Sequence, residues 1–166
     1  IDKKIEEANK NSNVSEKEIQ DLEKKKILPI VGCEFQVCPD RNDKTYKNNG
    51  FQVPFLAKNK KGYQNLIKLS SIGFIEGFYY VPRIDKNIIL EYSNDLIVTT
   101  GGLYGEIPQL ILNEGEQKAE ESLLWWKENF KDDFYIEIVR HCLEEEDKVN
   151  EVLLRFAKKH SAVDFC

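Results

Sequence analysis

The chain has 166 residues, of which 41% are hydrophobic and 11% aromatic, and its formal net charge at pH 7 is −5. This length and composition suit one domain with a filled core and argue against intrinsic disorder. The negative balance excludes a global basic field that binds nucleic acid through its phosphates, so any contact with DNA must be local or lie elsewhere. No apolar run approaches the roughly 20 residues that span a bilayer, and no signal-like N-terminus is present. We therefore expect a soluble cytoplasmic protein with no membrane partner.

The first half of the chain combines helical and strand patterns. Residues 1–8 show helical apolar spacing, and a capping box at residues 15–18 opens a second short helix that ends at Lys24. The pattern then predicts a buried strand over residues 27–37, a polar turn over residues 40–50, a strand over residues 51–57, a helix over residues 60–72 and a helix capped by Asp85 and ending near Tyr92.

The second half alternates strands with helices. Strands are predicted over residues 96–100 and 134–139 and from Ala162, and helices over residues 106–112, 116–130 and 144–159. This order implies right-handed crossovers and a parallel sheet, either doubly wound or closed as a barrel. The last strand pattern stops after a few residues, and the chain contains no methionine and begins at Ile1. We therefore expect a fragment that lacks structural elements at both ends.

Candidate functional positions follow from the ends of the predicted strands. In parallel barrels, functional groups project from the C-terminal ends of strands. Three predicted strands end in short polar or glycine-rich motifs, at residues 33–34, 100–102 and 140–142. The cysteines form no CxxC pair, so we interpret them as reduced packing residues. They are Cys33, Cys38, Cys142 and Cys166.

Four ordered motifs make the chain recognisable: PIVGCEF at residues 29–35, FLAKNKKGY at 55–63, GFYYVPRID at 77–85 and GGLYGEIP at 101–108. Together they resemble the polymerase-and-histidinol-phosphatase (PHP) domain of bacterial DNA polymerase III alpha subunits. The resemblance implies a single PHP domain over residues 1–166, with residues 1–26 as a variable helical lead-in. It also implies an α/β fold, a distorted TIM-like (β/α)7 barrel that is incomplete in this chain, and a bacterial cytoplasmic location.

The resemblance also implies a set of metal ligands. PHP domains hold clustered metal ions through His, Asp, Glu and sometimes Cys, an arrangement that suits activation of water against a phosphodiester. Glu34 falls on a ligand carboxylate and is the only retained candidate. A family histidine position is occupied by Gln52, whose neutral amide is a poor ligand, and a cysteine or histidine position is occupied by Gly102, which has no side chain. The other family ligands belong to His-x-His and Asn-Asp-x-His segments, neither of which occurs in the sequence.

The loss of two donors favours a vestigial site that is kept for folding and assembly, with no catalytic residue and no cofactor firmly expected. The alternative is an active metal-dependent 3′–5′ exonuclease or phosphoesterase, in which Zn or Mn would bind around Glu34. A free-standing PHP phosphatase is disfavoured, because residues 63–71 and 78–85 look polymerase-specific.

The resemblance implies partners as well. The parent chain would be a DNA-directed DNA polymerase that uses Mg held by a palm domain, which is not part of this sequence. The expected partners are the rest of the alpha subunit, the DNA polymerase III holoenzyme with its proofreading exonuclease, and DNA through other domains.

Several residues carry more than one interpretation. Glu34 could instead accept backbone hydrogen bonds or pair with Arg83. Arg83 and His141 form a candidate accessory site, because histidine titrates near neutral pH, although a structural or surface histidine is the favoured interpretation.

Residues 78–80 could stack on bases, but core or interdomain packing is favoured. Of the tryptophans at 125 and 126, only one can face inward on a helix, and the other should meet a neighbouring element or domain.

Overall fold

The computed structural model describes residues 2–10, 16–27 and 29–160. The chain divides into two compact units, Ile1–Ile30 and Val31–Cys166. In the first unit the structure describes two short helices, α1 (Asp2–Lys10) and α2 (Glu16–Lys24), as the sequence predicts. The predicted capping residue Ser15 lies outside the described residues.

The described part of the second unit contains the strands and helices that concern the candidate site. They are β1 (Gly32–Cys38), β2 (Phe51–Ala57), α3 (Lys60–Ile75), β3 (Arg83–Asp85), α4 (Lys86–Glu91), β4 (Leu96–Thr99), α5 (Glu106–Asn113), α6 (Glu116–Phe130), a 3-10 turn (Lys131–Asp133), β5 (Phe134–Tyr135) and α7 (Glu144–His160). The predicted strand at Ala162 lies outside the described residues. No helix in the described ranges is long and apolar enough to cross a membrane.

The strands form one mixed sheet in the order β3-β1-β2-β4-β5. β1 pairs with β3, and β4 with β5, in parallel, whereas β2 runs antiparallel to both of its neighbours. The prediction of an all-parallel sheet is therefore wrong at β2. The physical reason is the connection over residues 39–50, which contains no helix. A direct connection returns the chain antiparallel, because a parallel return needs a longer crossover.

Two strand boundaries differ from the prediction by more than a single residue, the start of β1 and the end of β5. β1 begins at Gly32 instead of residue 27, and both Ile27 and Ile30 are exposed. The Ala57 amide donates to the Val31 carbonyl at 2.8 Å. β2 ends at Ala57, so its ladder with β1 ends there. β5 ends at Tyr135 instead of residue 139, because its neighbour β4 has already turned away at Gly101, which has a φ of +71°.

The core lies between one face of the sheet and the helices. Phe55 is fully buried and makes edge-to-face contacts with Phe35, Trp126 and Phe130, with ring centroids 5.7 to 6.1 Å apart. Trp126 is thus the inward-facing tryptophan, and Trp125 is half-buried. Truncating a buried aromatic of this kind to alanine typically costs about 3–5 kcal/mol, so this cluster fixes α6 against the sheet.

Helix starts are fixed by local capping. The Asn59 side chain accepts hydrogen bonds from the amides of Lys61 and Gly62 at the start of α3. Asp85 accepts from the Ile88 amide at 3.0 Å and caps α4, as the sequence predicts. Gly62 allows close approach to the next loop, because a Cβ there would lie 2.1 Å from the Asp95 carbonyl oxygen.

Candidate metal site on the open face of the sheet

The two faces of the sheet differ sharply in chemistry, because successive strand residues point to opposite sides. Phe35 and Phe55 point toward the helices and are buried. Glu34, Gln36 and Gln52 occupy the alternate positions and therefore point to the other face, where Glu34 is exposed and the two glutamines are half-buried. This open face carries the positions that the family resemblance marks as ligands.

Glu34 lies near the beginning of β1 and pairs in register with Pro54 of β2. The expectation that residues 33–34 end a strand is therefore wrong, because the ladder starts only at Gly32 and continues to Cys38. Within the part of the chain that the structure describes, the Glu34 carboxylate forms neither a hydrogen bond nor an ion pair. The alternative pairing with Arg83 is also wrong, since Arg83 is bound elsewhere.

Gln52 is a diagonal neighbour of Glu34 on the same face. It pairs with Gln36 in the antiparallel ladder, two positions along from the pair that Glu34 forms with Pro54. Diagonal neighbours of this kind have side chains about 7–8 Å apart, within reach of long side chains. A ligand at position 52 could therefore share a metal ion with the Glu34 carboxylate.

The loop after β4 brings position 102 to the same place. The backbone N–H of Gln52 donates to the Tyr104 carbonyl at 2.9 Å, so this loop folds over the start of β2. A Cβ on Gly101 would lie 2.8 Å from the Gln52 carbonyl oxygen. At Gly102, by contrast, a Cβ would meet only a Val139 methyl group at 3.7 Å, which is an ordinary contact. Space for a side chain is present at 102, so the missing donor is a matter of chemistry and not of packing.

The three positions thus lie together, but they offer few ligands. A zinc site typically takes four nitrogen, sulfur or carboxylate ligands, and this neighbourhood supplies one carboxylate, from Glu34. Over residues 2–10, 16–27 and 29–160, no group of three or more His, Cys, Asp or Glu side chains is placed to hold a metal ion.

Arg83 is a buried structural cation. Its side chain is 1% exposed and donates to the backbone carbonyls of Gly77 at 3.1 Å, Asn48 at 2.9 Å and Asp43 at 2.9 Å, with a longer contact to Arg41. It therefore ties the loop between β1 and β2 to the turn before β3. No sequence pattern predicts this role, because the carbonyls belong to segments up to 42 residues away.

Asp85 and Arg41 form a second tie across the same loop. The Arg41 guanidinium contacts both Asp85 carboxylate oxygens at 2.9 and 3.1 Å, and the Arg41 amide donates to the same group. Burial raises the pKa of Asp85, but the hydrogen bonds from Ile88 and Arg41 and the charge of Arg41 outweigh it, and the pKa lies below its ordinary value. The carboxylate is therefore held ionised at neutral pH.

His141 follows β5 and is oriented by a buried carboxylate. Its Nδ1 lies 2.8 Å from an oxygen of Glu146, and its amide hydrogen-bonds the other oxygen. The Glu146 side chain is 3% exposed, whereas the imidazole is 75% exposed. Burial raises the pKa of Glu146, but the hydrogen bonds from His141 and Leu143 lower it overall. This arrangement fits the favoured interpretation of His141 as a surface histidine.

The structure does not bring Arg83 and His141 together. Arg83 belongs to β3 at one edge of the sheet, and His141 follows β5 at the other. Four strand spacings separate these edges, which corresponds to roughly 19 Å. The expectation of a joint accessory site is therefore wrong within the described sheet.

A polar cluster beside the core escaped sequence reasoning. Glu106 accepts from Lys86 at 2.7 Å and from the indole nitrogen of Trp126 at 2.8 Å. The Lys86 ammonium lies 4.5 Å from the centre of the Trp125 ring, a cation–π distance. These side chains join α4, α5 and α6, and their spacing of about twenty residues carries no local pattern.

Some packing expectations need correction. Phe78 and Tyr80 are exposed, so core packing is wrong for both side chains. Cys38 is buried, as expected of a packing residue, but Cys142 is exposed and has a φ of +68°. Cys166 lies outside the described residues.

Comparison of the sequence with known protein families identifies the family of this chain. A family model described as the PHP domain matches residues 11–141. The chain belongs to the PHP domain family, and its mixed α/β sheet is consistent with the PHP-type fold.

Individual relatives are DNA polymerase III alpha subunits. The chain is 39% identical over 146 residues to the subunit of Borreliella burgdorferi, covering 84% of this chain and 13% of that protein. It is 39% identical over 140 residues to the Deinococcus radiodurans subunit, covering 80% and 10%. It is 41% identical over 139 residues to the Thermus aquaticus subunit, covering 81% and 11%. The chain thus spans about a tenth of the length of the relatives that it matches.

Proposed function

We propose that this chain is the PHP region of a DNA polymerase III alpha subunit, and that it serves bacterial DNA replication as a structural and docking domain. The observation that carries this proposal is the donor set on the open face of the sheet. Of the three ligand positions that lie together, only Glu34 offers a metal-ligating side chain. Identities of 39–41% to three alpha subunits support the replicative role.

The proposal includes the fold and extent of the domain. Residues 1–166 form one PHP domain, and the described strands are part of a distorted (β/α)7 barrel. The open face of the sheet, with Glu34 and Gln52, is then the interior of the barrel. In support, helices cover the opposite face, as the outer ring of a barrel requires.

The proposal also includes partners and location. The parent chain is a DNA-directed DNA polymerase of the bacterial cytoplasm, and its Mg site lies in a different part of the subunit. The PHP region offers a docking surface to a proofreading exonuclease of the DNA polymerase III holoenzyme and contacts DNA only through other domains. The net charge of −5 supports the last point, because it favours no phosphate binding by this region.

A second candidate function is an active Zn- or Mn-dependent 3′–5′ exonuclease. It is favoured by the convergence of positions 34, 52 and 102 and by the lack of a partner for the Glu34 carboxylate in the described residues. Ligands from the rest of the subunit would have to complete the site. In this alternative Glu34 would help to hold the metal ion, and the metal would supply activation of water against the phosphodiester.

The experiment that separates the two functions is a nuclease assay on the full-length subunit. Degradation of a 3′-labelled single strand is measured with Zn²⁺ or Mn²⁺ for the unmodified subunit, for Glu34→Gln, and for Glu128→Gln as a control on the exposed face of α6. We expect no degradation that depends on Glu34, and unchanged primer extension in all three proteins. Degradation that Glu34→Gln abolishes and Glu128→Gln retains would establish the nuclease instead.

A further inference from the structure

The loop between β1 and β2 ends in Asn49 and Gly50, which form the single asparagine–glycine pair of the sequence. Asn49 is exposed. Gly50 has a φ of +75°, and a Cβ there would lie 2.3 Å from the Val37 carbonyl oxygen, so the turn requires glycine at this position. Asn49 is therefore followed by the residue whose backbone nitrogen is least shielded, because glycine has no side chain.

An asparagine in this setting can react with its own chain. The Gly50 nitrogen attacks the side-chain carbonyl carbon of Asn49, so that a new N–C bond forms and the bond to the amide nitrogen breaks. The amide nitrogen leaves as ammonia and takes the proton of the Gly50 N–H with it, and the product is a cyclic succinimide. Solvent water then opens the ring to aspartate or isoaspartate. The two reacting groups belong to neighbouring residues, so they meet at a high effective concentration.

The Asn48 side chain controls the nitrogen that attacks. Its Oδ1 accepts a hydrogen bond from the Gly50 N–H at 2.8 Å. A hydrogen bond to the protonated form of a group disfavours loss of the proton, and the nitrogen attacks only after that proton is lost. A hydrogen bond of this kind corresponds to a factor of about five in an equilibrium constant. Asn48 thus slows the reaction of its neighbour without preventing it.

The reacting pair lies between two fixed points of the fold. On one side, the Arg83 guanidinium donates to the Asn48 carbonyl at 2.9 Å. On the other side, Phe51 pairs with Val37 at the start of the antiparallel ladder. Isoaspartate at position 49 lengthens the backbone between these points by one carbon atom, and aspartate and isoaspartate both add a negative charge. The longer backbone has to displace one of the two contacts, so the modification should loosen the loop.

We propose that Asn49 is a deamidation site of the folded protein and that the Asn48 side chain sets the rate of the reaction. Asn42 is a reference position within the same loop. It is exposed as well, but the residue that follows it is Asp43, whose side chain shields the backbone nitrogen. The Asp43 N–H also donates to the Asp40 carbonyl at 3.3 Å.

The test is to age the full-length subunit at neutral pH and to follow both asparagines by peptide mass spectrometry. Isoaspartate is detected by methylation with a protein isoaspartyl methyltransferase and labelled S-adenosylmethionine. We expect conversion at Asn49 to outpace conversion at Asn42, with isoaspartate among the products at position 49. Conversion at Asn49 that is no faster than at Asn42 would overturn the assignment of the site.

Two variants test the role of Asn48. Asn48→Ala removes the acceptor and should speed conversion at Asn49 by about fivefold. Asn48→Asp keeps an acceptor, and a carboxylate binds the N–H more strongly, so conversion should be no faster than in the unmodified protein. In urea the loop is unfolded, and the rates for Asn48→Ala and the unmodified protein should coincide. Equal rates in the folded proteins, or a difference that persists in urea, would refute control by the hydrogen bond.

The consequence for the loop is measured by limited proteolysis. Lys47 is exposed beside the reacting pair, so the rate of tryptic cleavage after Lys47 reports how firmly the loop is held. We expect faster cleavage in aged protein than in fresh protein. The control is Asn49→Gln aged in parallel, because its longer side chain closes the ring less readily, and its cleavage rate should stay constant. Ageing that leaves cleavage of the unmodified sequence unchanged would contradict the loosening of the loop.

Discussion

Glu34 and Gln52 lie on the same face of two neighbouring antiparallel strands, in ladder pairs that are two positions apart. The loop after β4 closes over Gln52 through its hydrogen bond with the Tyr104 carbonyl. Positions 52 and 102, which are 18 and 68 residues after Glu34 in the sequence, therefore lie in the same region of the fold as Glu34. The family resemblance identifies the three positions, and the structure supplies the reason they belong together.

Replacing Gly102 with cysteine should be tolerated, whereas replacing Gly101 should not. A Cβ at 102 makes one ordinary contact, but at 101 it meets the Gln52 carbonyl oxygen, and the φ of +71° adds strain. We expect Gly102→Cys to change the free energy of unfolding by less than about 0.5 kcal/mol and Gly101→Cys to lower it by about 1–2 kcal/mol. Urea denaturation followed by circular dichroism measures both. Equal losses would mean that the loop does not have the described conformation.

Restoring donors should restore metal binding. In the full-length subunit, Gln52→His with Gly102→Cys adds a nitrogen and a sulfur ligand beside Glu34, and zinc prefers such ligands. We expect zinc to copurify with this double variant in excess over the unmodified protein. The matched control is Glu128→His with Gly102→Cys, in which the histidine lies on the exposed face of α6. Equal zinc in the two variants would show that position 52 is not a ligand position.

Replacing Arg83 with methionine should destabilise the chain strongly. The guanidinium is buried and satisfies three carbonyls from two segments, which methionine would leave without donors. We expect a loss of at least about 3 kcal/mol in the free energy of unfolding. Arg155→Met, at an exposed ion pair with Glu116, is the control and should leave the denaturation midpoint unchanged. A small effect at Arg83 would refute its role as the tie between the two loops.

The pairing of Asp85 with Arg41 should give a pH-dependent contribution to stability. Asparagine at position 85 keeps a good helix cap but loses the charge. Because the folded-state pKa of Asp85 is lowered, its contribution is complete above the unfolded value of about 3.9 and is lost as pH falls through the folded pKa. Asp85→Asn should therefore lower the free energy of unfolding by about 1–3 kcal/mol at pH 7. The loss should become progressively smaller below about pH 4, where the aspartate is protonated as well. Denaturation curves from pH 7 to pH 3 measure this difference, and a constant difference would contradict the assignment.

Local patterns predicted the elements but not their partners. The strand over residues 51–57, the cap at Asp85 and the helix over residues 144–159 follow from spacing and capping chemistry, and the structure confirms them. The direction of β2 and the start of β1 depend on which strand lies alongside, so they were mispredicted. The role of Arg83 depends on carbonyls from distant segments, and no periodicity reports such contacts.

The candidate site, too, was predicted in part: its positions came from the sequence, but their arrangement in space did not. The resemblance identified Glu34, Gln52 and Gly102 from motif positions. Their common face follows from ladder register, and the space at Gly102 follows from the path of the neighbouring chain. Neither can be read from a single sequence.

The most direct test of the central claim is the metal content of the full-length subunit, purified without chelator and measured by elemental analysis. If the PHP region is a structural domain with a degenerate site, the protein should carry no tightly bound zinc or manganese, and Glu34→Gln should not change its metal content. Two or more such ions per chain, lost on Glu34→Gln, would contradict the account and make Glu34 a ligand of a working metal centre.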